Sequence, residues 1–173
     1  MKVFISYSAK DTHRVRIIAD KLKKDSCAEV HWWEDSQRPG KAAWGQIFQW
    51  IEDADLVVVV ISGSVLRRAL AVGNEIGCAK AKGKVIIPLV WESPSLWAKL
   101  LRNLGAKVGI GTDDLGCIGD LVHIRINERN PEDGFQRLNE ELRLIAAQKD
   151  EETRKALLAL AGIIALGVLA AKG

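Results

Sequence analysis

The sequence predicts an α/β protein: a flavodoxin-like, five-stranded parallel sheet with helices on both faces, plus an apolar C-terminal helix. Apolar runs of strand length alternate with amphipathic runs of helix length, which is typical of a doubly wound sheet. The run from Asp55 to Ile61 has almost no polar alternation, so it is expected to be buried on both faces of a parallel sheet. In such a fold we expect the strand order 2-1-3-4-5 with right-handed crossovers.

Length and composition are those of one globular domain in a reducing compartment. The chain has 173 residues, of which 48% are hydrophobic, enough to bury a core. The net charge of +3 comes from basic residues spread along the chain, so no nucleic-acid partner is indicated. Cys27, Cys78 and Cys117 lack the spacing of a zinc site or a disulfide framework. Because Met1 leads straight into a strand pattern, there is no room for a signal peptide.

The first part of the chain predicts two βα units and a third strand. Residues 3–8 form the first strand, and Asp11 is the expected cap of a helix. The core face of that helix carries Val15, Ile18, Ala19 and Leu22. Residues 30–33 form the second strand, and a helix follows over residues 42–54. Its core face is expected to hold Trp44, Ile47, Phe48 and Ile51.

The rest of the domain predicts two more strands and a long helix. Residues 84–90 form the fourth strand, in which Pro88 indicates a position near the edge or a bulge. A helix is expected over 93–104 and an extended loop over 105–119. Residues 121–126 alternate with period two, as an edge strand does. A helix over 131–149 has its core stripe at Phe135, Leu138, Leu142 and Ile145.

Glu75 is the residue that the predicted topology places at a ligand site. It lies on the helix after the third strand, at the border of a core-facing stripe of Val72, Ile76 and Ala79. Ligands of doubly wound sheets bind beyond the strands' carboxyl ends at the topological switch point, here between strands one and three. That point lies beside residues 4–8. The alternative is a helix-end carboxylate that is favoured by the helix dipole or paired with Lys82.

Four pieces of the sequence, in this order, resemble the motifs of TIR (Toll/interleukin-1 receptor) domains of the bacterial type. The similarity covers residues 1–148. The pieces are Val3 to Ser8 with Asp11, similar to the opening F-[IV]-S-Y-x-x-x-D; Arg38-Pro39-Gly40 followed by Trp44, similar to the BB loop and the next helix; Ile61-Ser62 at the end of the third strand; and Asn74 to Ala79 leading into Gly83 to Leu89.

The resemblance implies one of two functions. Many TIR domains are enzymes that cleave the nicotinamide–ribose bond of NAD⁺, giving ADP-ribose or a cyclic ADP-ribose; others are non-catalytic modules that bind further TIR domains. In the enzymes the glutamate at the position of Glu75 is catalytic. A fixed carboxylate stabilises the oxocarbenium charge that develops on the ribose, so NAD⁺ is the substrate and neither a metal nor a cofactor is required. Enzymatic relatives often carry S-x-W-C-x-x-E, whereas Ala71 and Val72 stand here in place of Trp and Cys.

We therefore expect an NAD⁺ nucleosidase of prokaryotic anti-phage immunity that self-associates through its BB loop. A TIR–TIR assembly module is the alternative, and a transferase resembling nucleoside deoxyribosyltransferases is a third. The resemblance also implies substrate-binding residues. Walls and stacking faces are expected from Phe4, Ser6, Tyr7, Ser8, Trp33 and Trp44; pyrophosphate or subunit contacts from Arg38 and Lys41; and hydrogen bonds from Asp11, Ser62 and Ser64. The alternative for the wall residues is ordinary core packing. For Arg38 and Lys41 it is a solvated charge on a loop, and for Asp11, Ser62 and Ser64 it is a capping or turn role.

Residues 156–171 are uncharged and apolar on every face. They follow a charged linker over residues 149–155, and the basic residues Arg154, Lys155 and Lys172 bracket them. As a helix they would span about 24 Å, which is shorter than the hydrocarbon core of a bilayer, about 30 Å. Lysine side chains that snorkel to the interface, together with local thinning of the bilayer, could close this gap. We expect a membrane anchor with the TIR domain on the cytoplasmic face. A buried helix at an oligomer interface, or the front of a longer span, is the alternative.

Overall fold

The computed structural model describes the chain except residues 27, 41, 68–69, 93–117, 119–120 and 171–173; for residues 66–67 and 156–170 it describes the backbone alone. One parallel sheet of five strands has the order β2-β1-β3-β4-β5, which confirms the predicted α/β fold and strand order. The strands are β1 (Lys2–Ser6), β2 (Glu29–His31), β3 (Leu56–Ile61), β4 (Val85–Glu92) and β5 (Ile124–Asn127).

Helices cover both faces of this sheet. A 3₁₀ turn, Ala9–Asp11, precedes the first of them. The helices are α1 (Thr12–Ser26), α2 (Trp33–Ser36), α3 (Ala43–Asp53), α4 (Gly63–Arg67), α5 (Leu70–Ala81) and α6 (Glu132–Ala170). Side chains of α1 and α6 share one hydrophobic cluster with one face of the sheet, and side chains of α3 and α5 share a second cluster with the other face.

The central strand β3 contributes to both clusters. All of its residues are buried. Leu56, Val58 and Val60 face the α1–α6 side, while Val57, Val59 and Ile61 face the α3–α5 side. A continuous apolar run is required here because successive side chains of a strand point to opposite faces. Each such side chain contributes roughly 1.5–3 kcal/mol by its burial.

Two expectations about the second βα unit are wrong. The second strand ends at His31, because Trp33 begins the short helix α2. Trp44 and Phe48 were expected in the core but are 43% and 40% exposed, and their rings contact each other with centroids 5.6 Å apart. Helix α3 packs through Ile47 and Ile51, as expected, and through Trp50, which takes the place expected for Trp44 and Phe48. The apolar residues of α3 cover more than one side of the helix, so their periodicity identified only part of the buried side.

Strand β4 is an interior strand, so the edge position suggested for it by Pro88 is wrong. The reason that proline is accommodated lies in the register. Pro88 is opposite Val59 of β3, whereas the pairing of β4 with β5 begins only at Leu89, opposite Ile124. Pro88 therefore precedes the β4–β5 ladder, where a missing N–H costs little. Strand β5 is the edge strand, as predicted, but it begins at Ile124.

The helix and loop expected over residues 93–119 fall outside the described residues, apart from the buried Ile118. The helix expected over 131–149 is confirmed, with Phe135, Leu138 and Leu142 buried. Its backbone continues to Ala170. The described residues contain no helix that combines the length and the apolar character of a membrane span. The side chains of residues 156–170 lie outside that description, so the C-terminal anchor stays a prediction.

Gly134 allows α6 to approach β5 closely. A Cβ atom at this position would lie 2.5 Å from the backbone oxygen of Arg125 and 2.8 Å from Cγ1 of Ile126. We expect Gly134→Ala to lower the free energy of unfolding by about 1–3 kcal/mol, measured by urea denaturation. Gly77→Ala is the matched control, because a Cβ atom on Gly77 of α5 meets nothing within 4 Å. Equal effects of the two substitutions would show that the helix is not held so close to the strand.

Candidate active site

Glu75 meets the carboxyl end of β1. Its side chain projects from α5 and the residue is only 8% exposed. The Ser6 hydroxyl donates a hydrogen bond of 2.5 Å to Oε2 of Glu75. Lys82, the alternative partner, instead binds Glu52 at 2.7 Å. Within the described part of the chain the Glu75 carboxylate forms no ion pair, so it is a buried acid held by one hydroxyl.

Burial raises the pKa of Glu75 to about 7, and the Ser6 hydrogen bond opposes that rise. The physical cause is desolvation, because removing a carboxylate from water disfavours its charged form. The Ser6 hydroxyl favours the charged form, since it donates to the carboxylate. At neutral pH both protonation states of Glu75 are therefore substantially populated, as is typical of groups that take part in acid–base or electrostatic catalysis.

A cleft of about 350 Å³ opens beside Glu75, at the switch point between β1 and β3. Its volume lies in the lower part of the range of small-molecule sites. Its apolar wall consists of Phe4, Ile5, Ala43, Trp44, Ile47 and Ala71. The rest of the lining is Tyr7, Ala9, Trp33, Glu34 and Glu75. The cleft thus combines aromatic faces with two carboxylates.

The aromatic residues of the cleft differ in their support. Trp33 packs against Trp50 with ring centroids 6.1 Å apart, and Trp50 also contacts Phe4 at 6.4 Å. Trp44 packs only on the exposed Phe48 among the described aromatic rings. Ala71 lines the cleft where the enzymatic motif has Trp, so a methyl group replaces that aromatic wall. One side of the cleft therefore consists of rings that pack on one another, and the other carries the exposed Trp44 ring and the small Ala71 side chain.

Asp11 and Ser62 lie outside the cleft lining and join the loops beneath it. The buried Asp11 carboxylate accepts hydrogen bonds from the Ser62 hydroxyl at 2.5 Å and from Arg14 at 2.6 Å. The Ser62 oxygen in turn accepts from the backbone N–H groups of Ser64 and Val65. The helix-cap role expected for Asp11 is wrong, because its carboxylate binds side chains instead. These bonds attach the turn after β1 to the start of α4 after β3.

The other predicted site residues also lie outside the cleft. The Arg38 side chain lines a separate cavity of about 550 Å³ along α3. Its backbone N–H and carbonyl are bonded to the Gln46 side chain at 2.7 and 3.2 Å. The Ser8 carbonyl accepts from the Asp11 N–H within the 3₁₀ turn. Lys41 falls outside the described residues. Of the predicted set, the cleft brings together Phe4, Tyr7, Trp33, Trp44 and Glu75, with Ser6 behind the glutamate.

Glu34 is the cleft residue that sequence reasoning missed. It lies on α2, just after β2, and its Oε1 accepts a 3.0 Å hydrogen bond from the Thr12 hydroxyl. Burial raises the pKa of its carboxyl group. The sequence pattern assigned it to a polar turn. Glu34 comes shortly after β2, whose carboxyl end lies at the same edge of the sheet as that of β1. This position was the sequence signal that could have identified it.

Comparison with known proteins identifies the family of this fold. A family model described as TIR domain matches residues 3–139. The chain belongs to the TIR domain family. No curated protein matches the chain at a significant level.

A solved TIR structure agrees with this fold. The TIR domains of the activated Roq1 resistosome, which directly recognizes the pathogen effector XopQ, superpose on this chain with a TM-score of 0.58 and 15% sequence identity. The match covers 82% of this chain and 98% of the Roq1 chain. A Clostridium botulinum CMP N-glycosidase, BcmB, superposes with a TM-score of 0.48 and 21% sequence identity. This match covers 82% of this chain and 99% of the BcmB chain. The first similarity supports the fold, and the second is too distant to inform function.

The buried carboxylate of this TIR domain makes its stability depend on pH. The pKa of Glu75 is raised in the native state, so the unfolded state loses the proton first and stability falls as pH rises from about 4.5 to about 7. Glu75→Gln removes this loss. As the pH rises from 4 to 8, we expect the free energy of unfolding of the variant to increase by about 3 kcal/mol relative to that of the unaltered protein, measured by denaturant unfolding.

Glu52→Gln is the matched control, because the Glu52 side chain is 53% exposed and pairs with Lys82 at the surface. It should leave the pH dependence almost unchanged. If Glu75→Gln and the unaltered protein show parallel stability curves across this pH range, Glu75 is solvated in the native state.

Proposed function

We propose that this TIR domain is an NAD⁺ glycohydrolase and that Glu75 is its catalytic carboxylate. The observation that carries the proposal is a buried glutamate, held by Ser6, in an aromatic-lined cleft at the switch point of the sheet. The products would be nicotinamide and ADP-ribose, or a cyclic ADP-ribose. The TIR resemblance described above supplies the substrate, and the geometry of Glu75 supplies the chemistry.

The reaction needs one anion beside the ribose. The bond between C1′ of the ribose and the pyridinium nitrogen breaks, and its electron pair leaves with neutral nicotinamide. Positive charge then develops on the ribose, where a preorganised carboxylate in a partly dry site stabilises it. Water adds to C1′ and releases a proton, giving ADP-ribose. Because Ser6 holds Oε2 of Glu75, Oε1 remains for a ribose hydroxyl.

The wider setting is part of the same proposal and rests on the family resemblance. We propose that the domain acts as a self-associated assembly, and the exposed Trp44 at the mouth of the cleft gives a neighbouring copy a surface to cover. Anchoring through residues 156–171 to the cytoplasmic face of a membrane, and a role in prokaryotic anti-phage immunity, complete the proposal.

Chromatography of NAD⁺ incubated with concentrated protein, with and without detergent, tests the enzymatic role. We expect nicotinamide release that Glu75→Ala lowers by at least about 100-fold, because it removes the charge that stabilises the transition state. The kcat/KM value should rise with pH through about 7 and level off above it, where the carboxylate form predominates. Glu52→Ala is the control and should retain full activity.

Two results would contradict the proposal: no nicotinamide from the unaltered protein even in concentrated assemblies, or undiminished release by Glu75→Ala. The second peak in the chromatogram distinguishes ADP-ribose from a cyclic product.

A non-catalytic TIR–TIR assembly module is the second candidate function. The exposed aromatic pair Trp44 and Phe48, together with Ala71 in place of an aromatic wall, favours it. Phe48 does not line the cleft, so Phe48→Ser separates assembly from ligand binding. We expect this substitution to lower the average mass measured by light scattering at high protein concentration, since it removes apolar surface from the contact. An unchanged mass would exclude this aromatic pair as the contact.

A further inference from the structure

Glu34 and Glu75 line the same cleft from different elements. Glu75 projects from α5, whereas Glu34 belongs to the four-residue helix α2 that follows β2. The mechanism proposed above uses only one carboxylate. Glu34 is half-buried, and the partial removal of a second carboxylate from water is unfavourable, so it calls for a partner.

The two oxygens of Glu34 are in different environments. Oε1 lies 3.0 Å from the Thr12 hydroxyl oxygen, whose single hydrogen is also directed at the Ala9 carbonyl at 2.8 Å, so Glu34 shares this donor. Oε2 is enclosed, with almost no surface accessible to solvent, and it receives no hydrogen bond from another described residue. A ligand in the cleft can therefore reach it only after the carboxylate turns about its terminal torsion. An acceptor without a donor is unfavourable, and it becomes satisfied when a ligand brings an N–H or O–H group. The terminal torsion of a glutamate is soft, so the carboxylate can adjust to a donor that enters the cleft.

The neighbours of Glu34 limit what that ligand group can be. Trp33, the adjacent residue, presents an aromatic ring to the cleft. Tyr7 lies in the same lining, and its enclosed hydroxyl group also has no hydrogen-bond partner among the described residues. An aromatic face beside an unsatisfied carboxylate fits a planar ring that carries both a hydrogen-bond donor and positive charge. The pyridinium ring of NAD⁺ with its carboxamide group has all three properties.

We propose that Glu34 accepts a hydrogen bond from the carboxamide N–H of the substrate's pyridinium ring and selects the amide over the corresponding carboxylate. The inference rests on the proposed NAD⁺ glycohydrolase function. Glu34 contacts the leaving group and not the bond that breaks, so it determines specificity. An acid analogue, nicotinic acid adenine dinucleotide, would bring a second anion against Glu34 and no donor, and would bind poorly.

Calorimetric binding to Glu75→Gln protein tests this without turnover. In that background NAD⁺ should bind at least about tenfold more tightly than nicotinic acid adenine dinucleotide. Adding Glu34→Gln should reduce this ratio by about tenfold or more, because the glutamine amide can donate to the acid analogue. Asp35→Asn is the matched control: it removes the same charge one residue away, from a side chain that pairs with Lys23. It should leave the ratio unchanged.

Each outcome bears on a different claim. A preference for NAD⁺ that persists in Glu34→Gln overturns the role of Glu34 and leaves the proposed function standing. If neither dinucleotide binds the Glu75→Gln protein, while the unaltered chain also releases no nicotinamide, the proposed function fails and the inference fails with it. Should Glu34→Gln not fold, Thr12→Val releases Oε1 instead, and it should lower the same ratio while leaving the charge in place.

Discussion

The hydrogen bond from Ser6 to Glu75 joins residues that are 69 positions apart, and the site depends on it. It forms only because β1 and β3 are neighbours in the sheet, so that the loops after both strands open at the same edge. A single hydroxyl offsets only part of the desolvation of the carboxylate. The remainder appears as a pKa raised to about 7, which keeps Glu75 near its protonation midpoint at neutral pH.

A second hydroxyl–carboxylate bond runs in the opposite sense between the segments that end or follow β1 and β3. Ser6, on β1, donates to a carboxylate that follows β3; Ser62, after β3, donates to Asp11, a carboxylate that follows β1. One bond thus joins β1 to α5, and the other joins the turn after β1 to the residue that follows β3. Such reciprocal bonding holds the catalytic candidate in place before any ligand arrives, which is the condition for electrostatic stabilisation without reorganisation.

Charge is distributed unevenly between the cleft and its surroundings. The cleft holds two carboxylates, whose pKa values are both raised by burial, while Arg38 lies along α3 at a separate cavity. An acidic, aromatic cleft is complementary to a cationic ring and unfavourable for a pyrophosphate. In the proposed complex the ring of the dinucleotide therefore occupies the cleft, and its phosphates extend outward toward solvent or a neighbouring copy.

Local pattern determined the elements of this protein and their order. The continuous apolar run of β3 required a doubly covered parallel sheet, and the stripe of α5 put Glu75 at the border of the core. Tertiary packing decided that Trp50, and not Trp44 or Phe48, completes the buried side of α3, and that Glu34 enters the cleft. Helix α3 is apolar on several sides, so its periodicity identified Ile47 and Ile51 but not the rest of the buried stripe. Glu34 is polar within a polar segment, and the contacts that place its side chain come from residues distant in sequence.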